Sequence, residues 1–170
     1  MQAEQARFLL SFLMPQIEEE FKTTCKVVGA IPEGQRDYRP HPVVKTALEL
    51  AWHVVCTEVW FLEGLLRGEF AAEGEKLPGD GTVASVAGWY RGKAPALYQE
   101  MKALGDAELV RRIPFYGVMN EPAVSYLTLV LVHTVHHRGQ LSTYLRAMGA
   151  KVPSIYGGSA DEPFQAPAPA

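Results

Sequence analysis

Four stretches of this chain place apolar residues three and four positions apart, the spacing that lines one face of an α-helix. They cover residues 3–28, 43–67, 82–104 and 120–148. No stretch carries a convincing strand pattern. Because each apolar face has to be buried against another element, the pattern predicts an all-α fold, and specifically a four-helix bundle.

Proline, glycine and capping residues set the expected limits of these helices. Pro15 falls inside the first helix and is predicted to kink or restart it, since proline lacks the amide donor. Pro42 suits the first turn of the second helix, and Thr82 is the expected cap of the third. For the fourth helix, Asn120 is the expected N-cap, and Gly149 is expected to follow its last turn.

The connections between the helices differ in length. Residues 30–41 and 68–81 are loops longer than a minimal turn, so helices that follow one another in sequence need not be neighbours in the bundle. The connection at residues 107–117 is predicted to be partly extended, at 109–110 and again at 113–115.

Composition narrows the class of protein. The 170 residues fit one domain, which we place at residues 1–160, with a flexible tail at 161–170. The net charge is −3 and no basic stripe is present, so neither a nucleic-acid partner nor an anionic membrane surface is expected. No apolar run approaches the roughly 20 residues of a membrane span. Cys25 and Cys56 form no CxxC pair, which favours a reducing cytoplasm over a disulfide framework.

Three of the five histidines lie close together on the fourth predicted helix. His133 and His137 are four positions apart, so they share a helix face, and imidazoles at that spacing can bind one metal ion. His133 and His136, three apart, could also chelate. The first pair flanks the apolar side of the helix, whereas Arg138 is predicted to point away from it.

A third ligand has to come from another helix, and His53 in the middle of the second helix is the obvious candidate. Glu49 and Thr57, each four positions from His53, are placed to orient it. His41 lies in a loop and is expected to be exposed or structural. The alternative is that the pair on the fourth helix is an accident of sequence and that His53 is an ordinary hydrogen-bonded side chain.

Several sequence motifs of known chemistry are missing. The chain lacks HExxH, the GxSxG elbow, and the GxxxxGK[ST] and GxGxxG phosphate loops. It also lacks the ExxH pairs of di-iron bundles. Zincin proteases, serine hydrolases of that type, nucleotide-binding proteins and di-iron enzymes are therefore disfavoured.

The segment HTVHHRGQL resembles the signature of the DinB-like family of bundle proteins, and weaker matches lie upstream. The resemblance covers about residues 5–160. The positions that carry it are 31–33, 37–42, 52–53, 133–141, 144–146, 149 and 152–153.

This resemblance implies an up-down-down-up four-helix bundle that is usually a homodimer. It also implies one divalent metal ion, commonly zinc or nickel, with water in the open coordination positions. The family's ligands fall on His53, His133 and His137, and His136 is then not a ligand.

Two enzymatic hypotheses follow, both acting on a small molecule. One is metal-assisted hydrolysis, and the other is transfer of a low-molecular-weight thiol, which relatives in the wider superfamily favour. Glu49, Glu58 and Tyr126 are candidates for a general base or proton donor. The alternatives are a non-catalytic or stress-related metal-binding protein, and an interaction module whose histidines bind nothing.

Overall fold

The computed structural model describes residues 1–72 and 74–164, and most of the predicted flexible tail lies outside these ranges. Within them the chain is mostly helical, as the apolar spacing predicts. The elements are α1 (Ala3–Gly29), α2 (Ala47–Arg67), α3 (Val83–Ala103), α4 (Asp106–Val110), β1 (Arg112–Phe115), β2 (Met119–Pro122) and α5 (Tyr126–Ala147), with 3₁₀ turns at Glu33–Gln35 and Ala123–Ser125.

The four long helices form the predicted bundle, and side-chain contacts between them fix their directions. Trp52 near the start of α2 contacts Trp89 near the start of α3, with ring centroids 4.6 Å apart, so these helices are parallel. Arg7 near the start of α1 donates to the carbonyl oxygen of Leu104, just after the end of α3, at 2.9 Å. Helices α1 and α3 are therefore antiparallel.

Helix α5 lies between α1 and α2 and completes the topology. His53 and Glu58 of α2 contact His137 and Thr134 of α5, so residue numbers rise along one helix as they fall along the other. The turn before α5 packs against α1, which places the starts of α1 and α5 at the same end. The order is up-down-down-up, as the family resemblance implies, with α2 and α5 as antiparallel neighbours.

Helix α1 continues through Pro15, so the predicted restart is wrong. Pro15 and Ser11 both lie on the exposed side of the helix, where the Ser11 carbonyl that lacks an amide partner remains open to solvent. On the opposite side, Leu13, Met14 and Ile17 are buried in the core. Burial of that apolar face holds the helix in one piece.

Helix α2 begins at Ala47, four residues later than predicted. Its N-terminus is a capping box. The Thr46 hydroxyl accepts from the amide of Glu49 at 3.1 Å, and the Glu49 carboxylate accepts from the amide of Thr46 at 2.7 Å. This reciprocal pair satisfies two amides and sets the first turn, so Pro42 remains in the loop.

The segment before α5 agrees with the prediction in part. Residues 106–110 form a short helix, so the predicted extended backbone at 109–110 is wrong. Residues 112–115 are extended, as predicted for 113–115, and pair with residues 119–122 in a hairpin. Asn120 lies in the second strand opposite Pro114, so its predicted role as an N-cap is wrong. The predicted starts and ends of α3, including the Thr82 cap, and the left-handed Gly149 after α5 are confirmed.

No helix in the described part of the chain is both long enough and apolar enough to cross a membrane.

Candidate metal centre

Three histidines from two helices converge near one end of the bundle. His53 comes from α2, and His133 and His137 come from successive turns of α5. Each offers one ring nitrogen, and these nitrogens all lie within 4.8 Å of one another. Nε2 of His53 and Nε2 of His137 lie 3.3 Å apart. The structure therefore brings together the three residues that the sequence selects.

Neighbouring side chains orient two of the three rings. The Gln140 amide oxygen lies 2.7 Å from Nδ1 of His137. Because an amide oxygen can only accept, Nδ1 carries the proton and Nε2 presents its lone pair to the cluster. Thr57 Oγ1 lies 3.3 Å from Nδ1 of His53. Of the two residues predicted to orient His53, Thr57 is therefore the one that contacts it.

A buried carboxyl group joins the two helices that carry the histidines. Glu58 of α2 is 1% exposed and accepts from the hydroxyl of Thr134, the residue after His133, at 3.0 Å. The hydroxyl of Tyr98 donates to the other carboxyl oxygen. Burial raises the pKa of Glu58 above its ordinary value. This carboxyl holds α2 and α5 in register beside the triad.

The other two histidines lie outside the cluster. His136 is exposed, and its Nε2 is 3.3 Å from the Gln140 amide nitrogen. His41 is exposed in the loop before α2. Neither belongs to the group of metal-binding side chains that the described residues form.

Arg138 does not point to solvent, so that prediction is wrong. Its side chain is 1% exposed and forms an ion pair with Glu20. It also donates to the hydroxyls of Thr24, at 3.4 Å, and Tyr156, at 2.6 Å. Helix α1 and the segment after α5 cover the side of α5 that its polar sequence suggested was free.

A cavity of about 650 Å³ opens beside His53. Its walls include the two indole rings of Trp52 and Trp60, the side chains of Thr57 and Glu49, and part of the loop after α2. The volume falls within the range of about 300–1,000 Å³ that is usual for small-molecule sites. Of the three histidines, His53 lines this space, which is of ligand size.

The three candidate acid–base residues occupy different places. Glu49 lines this cavity, and its pKa is lowered, first by the hydrogen bond from the Thr46 amide. Glu58 is enclosed in the core and does not line the cavity. Tyr126 is buried near the hairpin, where its hydroxyl donates to the Ile113 carbonyl oxygen at 2.6 Å. Glu49 is thus the one of the three that faces the same space as His53.

Two histidines of the triad, His53 and His133, favour the neutral imidazole, the form that binds metals. Burial lowers the pKa of His53 to about 4, with the neighbouring His137 adding to the effect. Burial likewise lowers the pKa of His133 to about 4, again assisted by His137. The buried Nδ1 of His133 has no hydrogen-bond partner among the described residues. Both rings therefore suit a metal ion, because they are held in the neutral form and Nδ1 of His133 is not taken up by a hydrogen bond.

The metal-free protein is expected to lose stability as the pH falls from about 6.5 toward about 4. The unfolded histidines titrate near 6.5, whereas folded His53 and His133 titrate near 4, so protons bind the unfolded chain preferentially between these values. The stability that the two neutral histidines contribute is therefore fully present above about pH 6.5. Thermal unfolding midpoints measured with chelator from pH 4 to 7 test this.

A double variant, His53→Gln with His133→Gln, provides the control for that experiment, because carboxylates also titrate near pH 4. Its unfolding midpoint should vary less steeply with pH than that of the wild-type protein. Parallel curves for the two proteins would contradict the assignment.

The fold and the triad define a class of protein: a four-helix bundle with three histidines positioned to hold a divalent metal ion. The family model described as "DinB family" matches residues 9–166. The chain is also 32% identical over 154 residues to the uncharacterized protein YrdA of Bacillus subtilis strain 168, covering 90% of this chain and 91% of YrdA. The chain therefore belongs to the DinB family.

Solved structures agree with the fold. A DinB-like protein from Bacillus cereus ATCC 10987 superimposes with a TM-score of 0.72 at 24% identity, covering 85% of this chain and 95% of that one. A DinB-like protein of Bacillus subtilis, YjoA, superimposes with a TM-score of 0.68 at 21% identity, covering 87% and 96%. At these identities the likeness speaks to the fold alone.

Proposed function

We propose that the protein holds one divalent metal ion on His53, His133 and His137 and uses it to act on a small molecule in the adjacent cavity. The observation that carries the proposal is the convergence of three ring nitrogens within 4.8 Å beside a cavity of about 650 Å³. A structural role for the metal is the alternative.

The spacing of the nitrogens supports zinc. Two nitrogens that each lie about 2.0–2.1 Å from one ion, in tetrahedral geometry, are about 3.3–3.4 Å apart. The Nε2 atoms of His53 and His137 are 3.3 Å apart. That pair needs almost no movement to bind zinc, while His133 would move slightly toward it. Nickel remains the second choice on the strength of the family resemblance.

The ligand set supports catalysis over a structural role. Among residues 1–72 and 74–164, no Cys, Asp or Glu joins the three histidines as a fourth ligand. Structural zinc sites are closed by four protein ligands, whereas catalytic sites keep one position open. Three neutral ligands also leave the full charge of the ion available to a substrate group.

We favour thiol transfer as the reaction and keep hydrolysis as the second possibility. A bound divalent ion would hold a thiol as its thiolate or lower the pKa of a bound water molecule. Either ionisation releases one proton, and Glu49 on the cavity wall is the candidate acceptor in both cases. The preference for thiol transfer therefore rests on the relatives in the wider superfamily.

A cobalt-substituted protein tests the open position directly. The protein is loaded with one equivalent of Co²⁺, and 2-mercaptoethanol is added while the absorption spectrum is recorded. We expect a thiolate-to-cobalt charge-transfer band that saturates with the thiol. The His41→Ala protein, which lacks an exposed histidine, should give the same band. A spectrum unchanged by the thiol would instead indicate a closed, structural site.

A further inference from the structure

The cavity beside His53 has a second chemical feature, away from the histidines. Arg39 and Lys45 both line it, and they come from the loop that leads into α2. Neither cation forms an ion pair within 4 Å in the described part of the chain, whereas nine other Arg and Lys side chains do. Two unpaired cations therefore share one opening.

The acidic residues of the same cavity do not cancel this charge. Glu75 pairs with Lys93, which lies outside the cavity lining, and it accepts from the indole nitrogen of Trp89 at 3.2 Å. Glu49 accepts the Thr46 amide in the capping box. With Glu75 neutralised by Lys93, the charges of Arg39, Lys45 and Glu49 sum to +1. A divalent ion on the triad would add to this.

The rest of the opening is apolar. Val43 is 84% exposed, and Val44 and Leu77 are 37% and 39% exposed, although all three are large hydrophobic side chains. All three line the cavity, together with the side chains of Trp52 and Trp60. Apolar side chains clustered around an opening mark a surface that a ligand covers. The cavity thus combines an apolar wall with a cationic rim.

From this combination we infer that the cavity binds a small carboxylic acid with an apolar body, its carboxylate on Arg39 and Lys45 and its far end toward His53. The orientation of this ligand, with its far end toward His53, rests on the proposed function. Arg39 offers a planar fork of donors that suits a carboxylate, and Lys45 adds a mobile ammonium. Trp52 and Trp60 supply the apolar contact that holds the body between the two ends.

Electrostatics support the convergence of the two cations. Besides the hydrogen bonds from Thr46, the charges of Arg39 and Lys45 both help to lower the pKa of Glu49. The charges of both cations therefore reach Glu49, which lines the same cavity. A neutral ligand would leave them without a partner, whereas a carboxylate would bind both.

The test uses two probes of equal size that differ in charge. Binding of 4-phenylbutanoate and of 4-phenylbutanamide is measured by isothermal titration calorimetry on zinc-loaded full-length protein. We expect the acid to bind about five- to tenfold more tightly than the amide, the preference that two partly exposed ion pairs give. In the double variant Arg39→Gln with Lys45→Gln, the preference should fall below about twofold. Arg36→Gln, which removes a cation that pairs with Glu33, should keep it.

The same measurements on His137→Ala separate this inference from the proposed function. If the variant binds no metal but still prefers the acid, the cationic subsite stands by itself. If the preference disappears in His137→Ala and survives in Arg39→Gln with Lys45→Gln, the carboxylate binds the metal. That result would overturn the inference. It would equally be overturned if the acid showed no saturable binding at millimolar concentration.

Discussion

Zinc is expected to raise the thermal unfolding midpoint of the wild-type protein by about 5–10 °C when free zinc is about 100 times its Kd. An ion that binds only the folded chain adds about 2.7 kcal/mol at that concentration, and a chain of this length gains about 2–4 °C for each kcal/mol. The unfolded chain cannot bring His53 to the pair on α5, 80 or more residues away, so its affinity for zinc is low. Differential scanning calorimetry with and without zinc measures the increment.

The triad variants make this prediction specific. Replacing His137 with alanine removes a ligand, so the zinc-dependent increment should fall to near zero, and bound metal should drop from about one equivalent to none. His136→Ala is the matched control, because it removes an adjacent histidine of the same helix that lies outside the cluster. Its increment should equal that of the wild-type protein. Equal increments in His136→Ala and His137→Ala would place the ion elsewhere.

The candidate site could be predicted because two of its three histidines lie one turn apart on the same helix. A spacing of four residues on a helix puts His133 and His137 on one face whatever the rest of the chain does. His53 is different. Nothing in its own segment separates a ligand from an ordinary half-buried histidine. The pair on the fourth helix makes it the candidate third ligand, and the family resemblance then supports that choice. The contacts of Gln140 and Thr57 follow from the same helical spacing, three and four residues from their rings.

The parts of the fold that escaped prediction depend on long-range contacts or on short polar motifs. Extended backbone at 113–115 is predicted, but the second strand and its pairing are not, because Met119–Pro122 is a short segment with little alternation and carries a weak local signal. The start of α2 could have been predicted, since Thr46 and Glu49 have the spacing of a capping box. Pro42, which suits the first turn of a helix, indicated an earlier start instead. The enclosure of Glu58 has no local signal either, because its partners Tyr98 and Thr134 lie 40 and 76 residues away in the sequence.

Arg138 is the clearest case of a long-range partner that local sequence conceals, and its replacement should be costly. Its partner Glu20 lies 118 residues away on α1, so no helical spacing reveals the pair. We expect Arg138→Met to lower the free energy of unfolding by about 3 kcal/mol, because it leaves Glu20, whose side chain is 15% exposed, without its buried counter-charge. The hydroxyls of Thr24 and Tyr156 lose a donor as well. Urea unfolding at neutral pH gives the difference.

Arg146→Met is the matched control, since Arg146 lies two turns further along α5 and pairs with Asp161 while 52% exposed. That change should cost less than about 1 kcal/mol, as is usual for exposed ion pairs. Adding Glu20→Gln to Arg138→Met should restore part of the lost stability, because part of the cost arises from a carboxylate left without its partner. If the double variant is as unstable as the sum of the two single changes, the ion pair with Glu20 does not account for the cost of replacing Arg138.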